Sequence, residues 1–216
     1  MANATAAVRF TAVSYLNARI ASVLSILPLG VWTVGHVWHN LAAFEGPDAW
    51  QKAVTTYPHP AAQFLTLVVV LLPLAIHAVW GAIRVTTSRP NNQRYNTFDN
   101  LKYILQRASA VGVLLFVGAH IWLAALHPRL VEGHAETFGA LAHEMHFHIP
   151  TLVVYLLGTL GVSYHLANGL HSFAMGWGIA TSRRALKNLD AWVIGAFVVM
   201  LAMSWGAIYA LYAAAH

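Results

Sequence analysis

Five long apolar runs dominate this sequence, and they leave few folds open to it. They cover roughly Ile20 to Phe44, Ala62 to Ile83, Tyr103 to Leu126, Pro150 to Met175 and Ala191 to Ala213. Each can cross a hydrocarbon layer of about 30 Å, which takes about 20 residues at 1.5 Å per helical residue. Without water to satisfy backbone N–H and C=O groups, such runs must be helical. Only 9% of the 216 residues are Asp, Glu, Lys or Arg, against about 25% in soluble domains. The expected fold is therefore all-α, an integral membrane bundle of five transmembrane helices. Residues 1–216 are expected to form a single membrane domain, with no room for an additional soluble catalytic domain. The first run is too long for a signal peptide and lacks a convincing cleavage site. Pro28 and Pro73 fall inside spans, where a membrane helix tolerates them as kinks.

Charge sets a direction. Arg9, Arg19, Arg84, Arg89, Arg94, Lys102, Arg107, Arg183, Arg184 and Lys187 fall on one side, ten of the twelve basic residues. The other side holds Lys52 and Arg129 with Glu45, Asp48, Glu132, Glu136 and Glu144. The positive-inside rule then puts the amino terminus inside and His216 outside. This distribution accounts for the net charge of +5 without nucleic acid. Trp38, Trp50, Trp122, Trp177 and Trp192, near span ends, suit interfacial anchoring. The absence of cysteine excludes disulfides, cysteine-ligated iron–sulfur clusters, thiolate-ligated haem and covalent CxxCH attachment.

Thirteen histidines are many for such a chain, and four lie well inside spans: His36, His77, His120 and His165, one in each of the first four. By helix rise, His36 and His120 sit about 10 Å from the outer ends of their spans, and His77 and His165 about 22 Å. The four thus sort into two pairs at two depths, about 12 Å apart. A lone histidine in a membrane helix often does no more than hydrogen-bond a neighbouring helix. Four on four helices, matched in depth two by two, fit better as axial ligands of two b-type haems, because bis-histidine ligation fills both iron positions and favours electron transfer over oxygen chemistry. Gly81, Gly161, Gly118 and Ala119, near the histidines, would let a flat macrocycle approach the backbone. A proton pathway would more naturally include Asp or Glu in mid-span, and no span has one.

Several stretches resemble a known family. They are RIASVLSILPLG followed by His36, LLPLAIHAVWG around His77, LQR followed by LLFVGAHIW around His120, and SYHLANGLHSFAMGWGI around His165. Together they resemble the di-haem cytochrome b membrane anchor of succinate:quinone oxidoreductases (complex II, the succinate dehydrogenase/fumarate reductase family), in its single-subunit, five-helix form. The resemblance runs from about Arg19 to Ile179. It implies that His77 and His165 hold the inner haem and His36 and His120 the outer. Some members carry a histidine where this chain has Ala21, a position outside the ligand set.

The resemblance also implies a setting: the bacterial cytoplasmic (inner) membrane, with a flavoprotein and an iron–sulfur subunit docked on the cytoplasmic face. Electrons would pass through the two haems b to a quinone, expected to be menaquinone, and the chain alone would not oxidise succinate. A higher oligomer of the complex is compatible with this. Candidates for inner propionate contacts are Arg19, Ser22, Arg84, Arg107 and His171; His39, Asn40 and His127 are candidates for outer propionate or quinone contacts. His39 and His127 are expected to face the bundle interior from their spacing to His36 and His120. The HEMHFH segment, with His143, His146 and His148, has spacing that could hold a transition metal, although a polar start to the helix at Pro150 is the commoner meaning. Three alternatives remain: the anchor of a quinol:fumarate reductase, a hydrogenase- or formate dehydrogenase-type cytochrome b, and a haem-free transporter or proton channel using histidines.

Overall fold

The computed structural model describes residues 16–56, 60–87 and 97–215. Arg9, Arg89, Arg94 and His216 lie outside the described residues. Five helices are long and apolar enough to cross a membrane: α1 (Leu16–Glu45), α3 (Phe64–Thr87), α4 (Asn100–Glu132), α6 (Ile149–Gly176) and α7 (Arg183–Ala213). The chain is an all-α, multi-pass membrane protein. Two short helices, α2 (Pro47–Trp50) and α5 (Phe138–Phe147), join them at one end. That end is called the cap end here, and the opposite one, with Arg19, Lys102 and Arg183, the basic end.

Side-chain caps set several starts. Thr97 accepts from Asn100 N ahead of α4, Thr137 from Ala140 N ahead of α5, and Ser182 from Ala185 N ahead of α7. The Ser182 cap explains why α7 begins at Arg183 and not at Ala191, where hydropathy alone rises. In α6 Pro150 stands in the first turn, where its missing N–H costs nothing.

Proline shapes the other three helices differently. An interior proline removes one hydrogen bond and clashes with the carbonyl four residues earlier. Each of these helices answers with a π turn at that place: Ser25–Gly30 around Pro28, Leu67–Leu71 just before Pro73, and Trp122–Leu126 before Pro128. A second π turn, Pro128–Glu132, carries α4 to its end at Gly133, whose φ of 80° favours glycine. All three helices carry a mid-span histidine.

In the bundle α4 packs along α6 and α6 along α7, while α1 meets α7 and, through its π turn, α3 and α6. Contact of α3 with α4 closes a ring of α1, α3, α4 and α6, and α7 lies against the outside of it. Gly158 sets the closeness of α4 and α6, because a Cβ there would fall within the Phe116 ring. Most apolar side chains of the spans stay exposed, as a lipid-facing surface requires. The densest packing lies at the cap end, where Trp50, Phe138, Met145, Tyr155, Ile208 and Leu211 form one buried cluster. Trp50 is 1% exposed and so is a core residue, unlike the exposed Trp38, Trp122, Trp177 and Trp192.

Candidate cofactor site

Inside the ring of helices the four mid-span histidines meet two by two. The rings of His36 on α1 and His120 on α4 have centroids 5.9 Å apart, with planes at 67°. Those of His77 on α3 and His165 on α6 are 6.1 Å apart, at 72°. The first pair lies toward the cap end, since the Tyr155 that touches His120 belongs to the cap core. The second lies toward the basic end, among Gln106, Ser109 and Asn168.

The surroundings of the two pairs differ. At the cap-side pair each histidine is stacked by an aromatic ring one turn earlier on its own helix: Trp32 on His36 at 4.6 Å and 7°, and Phe116 on His120 at 5.7 Å and 25°. Tyr155 meets Phe116 edge-on at 5.5 Å, and its hydroxyl lies 3.0 Å from His120 Nδ1. The basic-side pair has a polar frame instead. Ser109 Oγ lies 3.2 Å from His165 Nδ1, Gln106 Nε2 donates to the His165 carbonyl at 3.2 Å, and Asn168 Nδ2 donates to Gln106 Oε1 at 2.9 Å. Amide groups at this depth have no water to fall back on, so their mutual bonds also tie α4 to α6.

This donor set suits a metal held from both sides of a flat macrocycle. Two imidazoles bound to one metal by bonds of about 2 Å would have ring centroids about 6 Å apart, and the two pairs have separations of 5.9 and 6.1 Å. Flat backbone stands beside them: a Cβ added at Gly35, Gly81 or Gly118 would meet no atom within 4 Å. Gly161 differs from the expectation, because a Cβ there would touch Val113 at 3.6 Å, so this glycine serves α4–α6 packing. Among the described residues, no three His, Asp or Glu side chains converge as a protein-only metal site. His143, His146 and His148 separate: His143 packs on Phe147, His146 stacks on Tyr212 and bonds its carbonyl, and His148 bonds Thr151. His143 and His146, three residues apart on α5, both lie against Phe147, but each ring takes a different further environment, and His148 stands past the helix end.

The other expected contacts have varied placements. Arg19 lies over the Trp177 ring at 5.1 Å, and Trp177 Nε1 donates to Ser22 Oγ at 3.0 Å, so Arg19 and Ser22 are gathered where α1 meets the end of α6. Arg84 is exposed on α3, and Arg107 folds over Tyr103 at 3.4 Å. His171 faces α7, where Nε2 meets Asp190 Oδ1 at 3.1 Å beside Lys102 Nζ at 3.0 Å from the same oxygen. Asn40 is a joint: it donates to the His36 carbonyl at 2.9 Å and accepts from Trp50 Nε1 at 3.1 Å. His39 is exposed and does not face the interior. The π turn at Trp122–Leu126 shifts the register between His120 and His127; His127 is half-buried, pairs with Glu132 at 3.3 Å and lines a cavity shared with Tyr155.

Sequence reasoning missed Trp32, Gln106, Ser109, Phe116, Tyr155 and Asn168. The available signal was polar residues within apolar runs, and an aromatic four residues before His36 and before His120. It also missed a cavity of about 250 Å³ at the cap end, lined by His127, Glu136, His143, Glu144, Thr151 and Tyr155 among others. Burial pushes the Glu136 carboxyl above the ordinary glutamate range; Thr137 N–H opposes this, and the charges of Glu132 and Glu144 add to it. Tyr155 therefore touches both this polar cavity and the His120 imidazole.

Five spanning helices with paired imidazoles inside the bundle define a class of multi-pass membrane protein with a candidate cofactor site between its helices. Residues 85–203, more than half of the chain, match the family model described as succinate dehydrogenase/fumarate reductase transmembrane subunit, and the chain belongs to that family. It is 28% identical over 197 residues to the succinate dehydrogenase cytochrome b558 subunit of Bacillus subtilis (strain 168), covering 90% of this chain and 94% of that one. No solved structure matches it significantly.

Proposed function

We propose that this chain, as one membrane domain, is the anchor and di-haem cytochrome b subunit of a succinate:quinone oxidoreductase. It passes electrons from an iron–sulfur subunit to a quinone, expected to be menaquinone. The observation that carries this reading is the pair of facing histidine couples at two levels of the bundle. His77 and His165 would hold the inner haem b, and His36 and His120 the outer; the group would supply one-electron transfer.

The basic end faces the cytoplasm by the positive-inside rule, with the amino terminus inside and the carboxyl terminus outside. The flavoprotein and iron–sulfur subunits dock there, beside the inner histidine pair, in a bacterial cytoplasmic membrane. Arg19 and Ser22, gathered at the α1–α6 junction, are the better supported propionate partners, since both stand at that end with polar or cationic groups. At the cap end the quinone head group occupies the cavity floored by Tyr155, where carboxyl and imidazole groups can exchange its protons. The purified complex is expected to give a reduced-minus-oxidised spectrum of two b-type haems; a haem-free preparation sinks the reading. Replacing His77 or His165 should remove one haem spectrally and leave the other, and loss of neither defeats the pairing.

A further inference from the structure

We infer that Ser109 and Tyr155 are positioning residues of the cofactor site, each accepting the Nδ1 proton of one histidine so that Nε2 is left as that ring's ligating nitrogen. The inference rests on reading the histidine pairs as axial ligands. Its basis is a reciprocal arrangement across the α4–α6 interface. Ser109 on α4 reaches His165 on α6 at 3.2 Å, and Tyr155 on α6 reaches His120 on α4 at 3.0 Å.

The Ser109 contact fixes the direction of its bond. A serine hydroxyl has one proton and two lone pairs. Ser109 Oγ gives its proton to the Gln106 carbonyl at 3.0 Å, so it offers His165 Nδ1 a lone pair. Nδ1 then carries the hydrogen, and Nε2 is the lone-pair nitrogen, as a metal ligand requires. The Gln106 side chain is itself clamped between Asn168 and the His165 carbonyl, so the serine bonds within a closed set of partners. On the cap side Tyr155 is 7% exposed, held by Phe116 and the cap core, with its oxygen 3.0 Å from His120 Nδ1; with Nε2 as the ligating nitrogen, Nδ1 carries the hydrogen and the phenol oxygen accepts it. Among the described residues neither the His36 nor the His77 ring makes a hydrogen bond. Each pair thus joins one braced imidazole, from the tightly packed α4 or α6, to one unbraced imidazole from α1 or α3.

An acceptor at Nδ1–H makes the ring a stronger donor to the metal. A stronger donor stabilises the oxidised, more positive iron and lowers its potential. The test is a redox titration of the haem bands in the intact purified complex, for the wild type, Ser109→Ala, Ser109→Thr and Tyr155→Phe. Ser109→Ala should raise the midpoint potential of the haem that is lost on replacing His77, and leave the other unmoved. Ser109→Thr should restore it, and Tyr155→Phe should raise only the other haem. Both haems at wild-type potentials in Ser109→Ala and Tyr155→Phe overturns the inference, as does a shift on the opposite haem. If Ser109→Ala loses its haem outright, retention in Ser109→Thr supports the bond, and loss in both overturns it in favour of simple packing. A wild-type complex without two haems would sink the reading of the site itself.

Discussion

The cap-side and basic-side histidine pairs have nearly the same separation, 5.9 and 6.1 Å, yet different means hold them. Trp32, Phe116 and Tyr155 wall the first, and that wall continues into the packed cap core. A short network of amide and hydroxyl groups frames the second. Aqueous solvent favours burial of the apolar cap side chains, but within the bilayer lipid competes equally well for apolar groups. Packing and hydrogen bonds must therefore hold the deeper pair. The difference should separate under mutation, and the largest effect is expected at the cap. Trp50→Ala removes a large side chain that is 1% exposed and leaves Asn40 without its indole partner. A loss of about 3–5 kcal/mol is expected, read as a lower melting temperature of the purified complex. On the proposed di-haem reading, the absorption of the haem at the cap-side pair should be disturbed first; equal disturbance of both haems would break the proposed distinction.

Gly158 tests the seam between the two regions. Gly158→Ala forces the Phe116 ring to move, and Phe116 stacks on His120. Overpacking of this kind costs about 1–3 kcal/mol, and the spectral change should again be on the cap side. Gln106→Leu tests the other region. It removes the amide that joins Asn168 to the His165 carbonyl, and intramembrane hydrogen bonds average about 0.6 kcal/mol. A small fall in melting temperature is expected, with the basic-side haem altered and the cap-side haem unchanged. A shift confined to the cap-side haem would reverse the assignment of the two frames.

How much of this was legible in sequence depends on the range of the signal. The spans were legible because bilayer thickness imposes a length that few other constraints mimic. The four mid-span histidines stood out because a titratable group at that depth is costly and seldom idle. The frames around them were not legible. Ser109 and Tyr155 are ordinary residues in membrane helices, and their roles arise only when α4 and α6 meet. The π turn between His120 and His127 breaks the simple periodicity that related them, yet His127 still lines the cavity beside Tyr155. The HEMHFH segment shows the converse, a cluster in sequence whose rings are taken up by separate partners, Tyr212 for His146 and Thr151 for His148.

The smallest expected effect concerns Glu136, in the chain between α4 and α5. This residue is 7% exposed, accepts from Thr137 N at 2.9 Å, and lines the cap cavity. Burial raises its folded-state pKa, so between the ordinary glutamate value and the raised one the folded protein holds more of this proton than the unfolded chain does. Stability from this group is therefore fully present below the ordinary value and is lost as pH rises through that window, then level above it. Glu136→Gln keeps the size and hydrogen-bonding capacity of the side chain without the ionisation. Its melting temperature should lack that decline and exceed the wild type's at neutral pH by a small margin, measured from about pH 4 to pH 8. An identical pH profile in both proteins would mean that Glu136 ionises freely, and the cap end would lose its one raised carboxyl among the described residues. Because the basic-side pair is far from this group, its haem potential should be the same in both proteins, whereas the cap-side pair stands one residue away through Tyr155.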